Sequence, residues 1–364
     1  MLFAALAFAG CGVRTPPAEQ PTGPAAPTPP AGVEAPAGLQ ARLEIVARGF
    51  GPAGIAVRDV AGGWTAAVDG ARAYPQQSVS KLWVALATLD AVDRGVLSLA
   101  DPVLVRREDL SVFHQPIRAE VDAEGFVTTV EALLRGALIQ SDNAANDVLI
   151  RRLGGPEAVQ AVLAAKDVEG VRLGDEERYL QASIAGLVWR PDHAFGRSFW
   201  TDRDLVPLAR REALLDTYVA NPPDGATPAA TVAALARLQR GELLSPASTE
   251  RLISILREVE TGPNRLKAGL SAGWTLAHKT GTGQVLGGRQ TGFNDIGLMT
   301  APDGRVYAVA VFIAETRRPV PERLAMMAEV ARAVVAHHEI ATGVFPLAES
   351  ATSPAAPART RSVR

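Results

Sequence analysis

Apolar residues in this chain change period twice, and that change restricts the fold more than any other feature of the sequence. Near the start, "GIAVRDV" and "WTAAVDG" alternate apolar and polar residues around a turn-prone "AGG", which predicts a hairpin. Near the end, "FNDIGLMTAPDGRVYAVAVFIAET" predicts two more strands around a "PDG" turn. Each pair has a helical pattern beside it: "LQARLEIVARG", with Leu39, Leu43 and Val46 on one face, and "PERLAMMAEVARAVVAHHE", opened by proline. Between them the period is helical, in "VEALLRGALIQ", "AANDVLIRRLGG", "PEAVQAVLAA", "AATVAALARLQRG" and "SPASTERLISILREVE". The expected fold is α/β. Residues 39–89 and 261–345 form an antiparallel sheet flanked by helices, with an all-helical domain over 90–260 inserted between them and the active site in the cleft.

Both ends lie outside that pattern. Residues 1–12, "MLFAALAFAGCG", read as a signal peptide, too short to span a bilayer. Cys11 is the only cysteine, so it makes no internal disulfide, and its place after "FAG" resembles the lipobox of bacterial lipoproteins. Phe8 stands where that motif usually has Leu, and no positive segment precedes it, so ordinary leader cleavage stays open. Residues 13–38 are rich in Pro and Ala and read as an extended tether; residues 346–364 read as a disordered tail. The expected location is the periplasm, with membrane anchoring through a lipid on Cys11. The 37 basic and 39 acidic residues leave a net charge of −2 with no basic block in the body of the chain, which argues against nucleic acid as a partner. None of the five histidines has metal-ligand spacing, so neither a metal nor a cofactor is expected. A monomer is expected.

Three short strings bear on chemistry. In "YPQQSVSKLWVALATL", Val79, Leu82, Trp83, Leu86 and Leu89 form the apolar stripe of a helix that begins around Ser78, and Lys81 lies one turn on. Alone, the pair reads as a capping serine and a snorkelling lysine on an ordinary helix. "SDN" at Ser141–Asn143 and "HKTGTG" at His278–Gly283 follow in order, and alone they read as a helix N-cap and a turn. Together, SxxK, SDN and KTG resemble the signature of class A serine β-lactamases. "GELLSP", "TGPNRLKAGLSAGW" and "NDIG" are similar to further stretches of that family, and the likeness runs from Leu39 to about Glu339.

The resemblance implies that a β-lactam is the substrate and that Ser78 is the nucleophile, since opening an amide needs a hydroxyl activated by a neighbouring base. It implies Lys81 as that base, Ser141 as the relay to the leaving nitrogen, and Lys279 as the group that holds Ser141 and makes the site electropositive. Strand alternation puts Thr280 and Thr282 on one face of the KTG strand, with Gly281 and Gly283 leaving room for the substrate. The backbone N–H groups of Ser78 and Thr282 would form the oxyanion hole. Asn143 would bind the substrate's side-chain amide, Arg265 its carboxylate, and Asn146 would brace the neighbouring loop.

Hydrolysis also requires a carboxylate that aims water at the acyl ester; without one, the site resembles a penicillin-binding peptidase or an esterase that deacylates slowly. In "VRLGDEERYLQ", Glu177 stands three residues before Leu180, with Gln181 where the family has Asn; Glu176 and Asp175 compete for the role. The following stretch reads as an enlarged Ω-like loop over about 172–228, longer than the family's, with "LARREALLDTYVA" as a helix inside it. The usual neck arginine is replaced by Asp175, so Arg172 or Arg178 would have to pair with Asp224. Trp189, Phe195, Phe199 and Trp200 would wall the substrate pocket or pack the insertion.

Overall fold

The computed structural model describes residues 33–343. Cys11, the leader, most of the tether and the C-terminal tail lie outside these residues. A five-stranded antiparallel sheet is built from both ends of the described chain: β1 (Ala53–Asp59), β2 (Thr65–Val68), β3 (Thr275–Thr282), β4 (Phe293–Thr300) and β5 (Val306–Ile313). The spatial order is β2-β1-β5-β4-β3, which leaves β3, carrying the KTG string, on an edge. Register is fixed by alternation: Ile55 faces Val311 and Val57 faces Val309, and a slip of one residue would turn this row to the other face.

The two faces of the sheet bury separate cores. Ile55, Val57, Val309, Val311 and Ile313 join a core with α1 (Ala37–Phe50) and α11 (Val320–Thr342). Ala56, Ala308 and Ala310 face the other way, where small side chains let helix Pro228–Gln239 lie close against the strands. This second core runs without interruption into the helical part of the molecule.

That helical part contains α2 (Lys81–Asp93), α3 (Val130–Arg135), α4 (Asn143–Leu153), α5 (Pro156–Ala165), α6 (Glu177–Ala185), α7 (Ser198–Leu205), α8 (Leu208–Ala220), α9 (Pro228–Gln239) and α10 (Pro246–Arg257). Contacts cross the boundaries expected at residues 90 and 260: α2 packs against α4, α5 and α10, while α9 packs on β1 and β5. The expected Ω-like loop is largely helical, with α6, α7 and α8 inside residues 172–228. No described helix is long and apolar enough to cross a membrane.

Trp83 in α2 is 1% exposed, and its indole N–H donates to Gln76 Oε1 at 2.6 Å, two residues before Ser78. Trp83→Ala is expected to cost about 3–5 kcal/mol of unfolding free energy, measured by urea denaturation.

Candidate active site

Ser78 sits in a short 3-10 turn, Gln77–Ser80, that leads into α2, so its side chain points into the crevice while its N–H has no backbone acceptor. Lys81, the first residue of α2, is fully buried. Its Nζ donates to Ser78 Oγ at 2.7 Å, to Asn143 Oδ1 at 2.6 Å and to Glu177 Oε1 at 3.2 Å. A buried ammonium surrounded by three oxygens is the arrangement that burial of a charge requires. Asn143 also donates from Nδ2 to Val112 O at 2.8 Å, so its carbonyl is turned to Lys81 by a contact with the neighbouring loop.

The second serine–lysine pair closes the opposite wall. Lys279 Nζ donates to Ser141 Oγ at 2.9 Å and to Thr280 O at 3.1 Å. Burial, with Lys81 and Arg265 close by, holds the Lys279 ammonium well below its ordinary value. Its bond to Ser141 puts it where the sequence expected, as the group that holds Ser141. Ser141 is no N-cap: it lies in the left-handed region (φ 63°) at the end of a π turn, Gly136–Gln140. Asp142 caps α4 instead, accepting from Ala145 N at 2.9 Å and from Ile117 N at 2.6 Å.

On β3, Thr280 Oγ1 bonds Thr261 Oγ1 at 2.6 Å, and Thr282 Oγ1 accepts from Arg265 at 2.6 Å. Both line one cavity of about 250 Å³ with Ser78, Ser141, Asn143 and Glu177. Gly283 N donates to Gly292 O at 2.8 Å, toward β4; alternation therefore turns the Thr282 N–H off the free edge, toward the crevice. Arg265 also donates to Gly281 O and Asn294 O, and its guanidinium lies 3.9 Å from the Phe293 ring centroid. Burial lowers its pKa to about 10. The space at the glycines is used differently from expectation: a Cβ on Gly281 would overlap Gln76 O and one on Gly283 would overlap Thr291 O, so these positions admit the protein's own backbone. His278 is packed inside the sheet, its Nδ1 2.8 Å from Asp295 Oδ1.

Glu177 opens α6 and is 4% exposed. Gln181, one turn on, donates to Glu177 Oε2 at 3.1 Å. The competing carboxylates are turned away: Glu176 pairs with Arg151 and with Arg178 Nε at 2.9 Å, and Asp175 is exposed. The expected brace is displaced by one residue. Asp147 accepts from Glu177 N at 2.7 Å and Arg178 N at 3.2 Å, whereas the Asn146 side-chain oxygen is buried without a partner.

The expected neck salt bridge is absent among the described residues. Arg178 is held by Glu176 and Glu108 O, and Arg172 by Asn221 and Pro222 O. Asp224 Oδ2 instead accepts from Gln77 N at 2.8 Å and from the Tyr218 hydroxyl at 3.1 Å, and Oδ1 has no partner. In the insertion, Phe199 and Trp200 pack on Phe113, with ring centroids 4.9 and 5.0 Å away, and Phe113 lines the cavity. Spacing within the sequence gave no sign of Gln77, Phe113, Asp147 or Tyr218.

A serine with a buried lysine, a second serine–lysine pair and a shielded carboxylate together define a serine acyl-transfer site. The model of the β-lactamase enzyme family matches residues 38–338, and the chain belongs to that family. It is 30% identical to β-lactamase VEB-1 of Pseudomonas aeruginosa over 67% of this chain and 71% of that one. It superposes on a β-lactamase from Chitinophaga pinensis with a TM-score of 0.67 and 28% identity, covering 83% of this chain and 99% of the other. An ancestral class A β-lactamase gives a TM-score of 0.64 and 32% identity over 82% and 99% of the two chains.

Burial pushes the Asp224 carboxyl up from 3.8 to about 6. The folded protein then holds this proton more tightly than the unfolded chain, so the group removes stability as pH rises from 3.8 to about 6 and no more above that. Asp224→Asn cannot titrate. Its stability relative to wild type is expected to rise by about 2 kcal/mol between pH 4 and pH 8, read by denaturant unfolding at both.

Proposed function

We propose that this β-lactamase opens the β-lactam amide through a covalent acyl-serine on Ser78 and then hydrolyses that ester, conferring β-lactam resistance. The observation that carries this reading is the Lys81 ammonium held between Ser78 Oγ and Glu177 Oε1. In acylation, Ser78 Oγ gives its proton to the Lys81–Glu177 pair and bonds to the carbonyl carbon, while the Ser78 and Thr282 N–H groups take the oxyanion. The proton taken from Ser78 passes on through Ser141, held by Lys279, to the leaving ring nitrogen, which returns the Lys81–Glu177 pair to ammonium and carboxylate before deacylation. In deacylation, Glu177 takes a proton from water as its oxygen attacks the acyl carbon, and Ser78 leaves protonated. Arg265, with Thr280 and Thr282, receives the substrate carboxylate, and Asn143 the side-chain amide.

The alternative, a penicillin-binding peptidase or esterase trapped as the acyl-enzyme, is disfavoured by the placement of Glu177 and its bond from Gln181. The apolar start and Cys11 support export to the periplasm with lipid attachment at Cys11, and a monomer is the expected form. Purified protein is expected to hydrolyse a chromogenic cephalosporin. Ser78→Ala should abolish this, and Glu177→Ala should accumulate one covalent adduct per chain by intact mass spectrometry; stoichiometric labelling of wild type without turnover would favour the alternative. Labelling with radioactive palmitate should fall on Cys11, and a soluble mature form without Cys11 would remove the anchor.

A further inference from the structure

Tyr218 is buried in α8, inside the enlarged segment, and none of its atoms lines the catalytic cavity. Its hydroxyl nevertheless lies in an unbroken chain of hydrogen bonds to the carboxylate over the nucleophile. It donates to Asp224 Oδ2 at 3.1 Å and accepts from Gln77 Nε2. Gln77 Oε1 accepts from Gln181 Nε2 at 2.9 Å, and the same Nε2 donates to Glu177 Oε2 at 3.1 Å.

The order of donors along this chain is dictated from the Tyr218 end. A phenol has one proton, and here it is committed to a carboxylate oxygen, so Tyr218 can only accept from Gln77. Gln77 must then turn its nitrogen to Tyr218 and its oxygen to Gln181. Gln181 in turn must present its nitrogen, whose second hydrogen reaches Glu177. Gln284 fits this polarity, donating from Nε2 to Gln181 Oε1 at 3.0 Å. A protonated Asp224 would leave the order intact, because its free oxygen is Oδ1 while Oδ2 keeps both donors.

We propose that Tyr218 is a positioning residue for deacylation: its hydroxyl fixes the orientation of the Gln77 and Gln181 amides and thereby aims the Glu177 carboxylate. This rests on Glu177 as the base that activates the hydrolytic water. Without the hydroxyl, the Gln77 amide is free to turn over, and a turned Gln77 sets its NH2 against that of Gln181 and draws the donor from Glu177. The chain reaches Glu177 at Oε2, whereas acylation uses the Oε1 side through its contact with Lys81, so a turned Gln77 should slow deacylation more than acylation.

The test is Tyr218→Phe, which keeps the ring and removes only the oxygen, assayed by stopped-flow with a chromogenic cephalosporin, intact mass spectrometry and thermal melting. Misaiming the base is expected to slow deacylation about tenfold or more, so that acyl-enzyme accumulates while kcat and KM fall together and kcat/KM stays within about threefold of wild type. If Tyr218→Phe does not fold, Gln77→Met breaks the same chain at the next link and should give the same pattern. Wild-type kcat without accumulation, or a loss of kcat/KM without accumulation, would overturn the proposal. Glu177→Ala run alongside separates the two readings: if it turns over like wild type, the assignment of Glu177 itself fails, and if it accumulates adduct while Tyr218→Phe does not, only the role of Tyr218 fails.

Discussion

The buried ammonium of Lys81 is the interaction on which the site depends. It touches the turn carrying Ser78, the start of α4 through Asn143, and the start of α6 through Glu177. A cation with no exposure is tolerable only while its oxygen partners stay in place, so the cost of leaving it unpaired holds three distant segments in register. The chemistry and the packing of the helical region therefore rest on the same charge.

Gln77, Phe113 and Ser141, all lining the cavity, carry backbone strain, and two of them place the site's hydroxyls. Gln77 (φ 54°) and Ser141 (φ 63°) both occupy the left-handed region, which costs a non-glycine residue about 1–3 kcal/mol. Each is over-determined by its surroundings. Gln77 N is bonded to Asp224, and Asn294 Nδ2 reaches Pro75 O and Gln76 O from β4. Ser141 is bounded by the π turn and by the Asp142 cap. The strained turns point one hydroxyl from each wall into the crevice.

The strands and most helices were legible because their apolar period is local, and the SxxK pair was legible because one helical turn sets its spacing. The remainder of the site was visible only through resemblance, since Lys279 meets Ser141 across 138 residues of chain. Choosing between Glu176 and Glu177 required knowing that Arg151 and Arg178 stand on the Glu176 side. Charge pairing led the reading of the neck toward Arg172 or Arg178, whereas the partner of Asp224 is a neutral tyrosine in the insertion, which no charge pattern marks. The brace moved from Asn146 to Asp147 because only the latter side chain faces the two N–H groups that open α6. The space beside Gly281 went to the strand's contact with Gln76, which spacing along one strand cannot reveal.

The aromatic packing of Phe199 and Trp200 against Phe113 has a consequence for how such an enzyme diversifies. Phe113 lines the cavity with its ring backed by the insertion, while Val112 and His114 on either side of it accept from Asn143, the partner of Lys81. A replacement at Phe199 or Trp200 therefore reaches the cavity wall second-hand, through the ring of Phe113, without changing a residue that carries a proton.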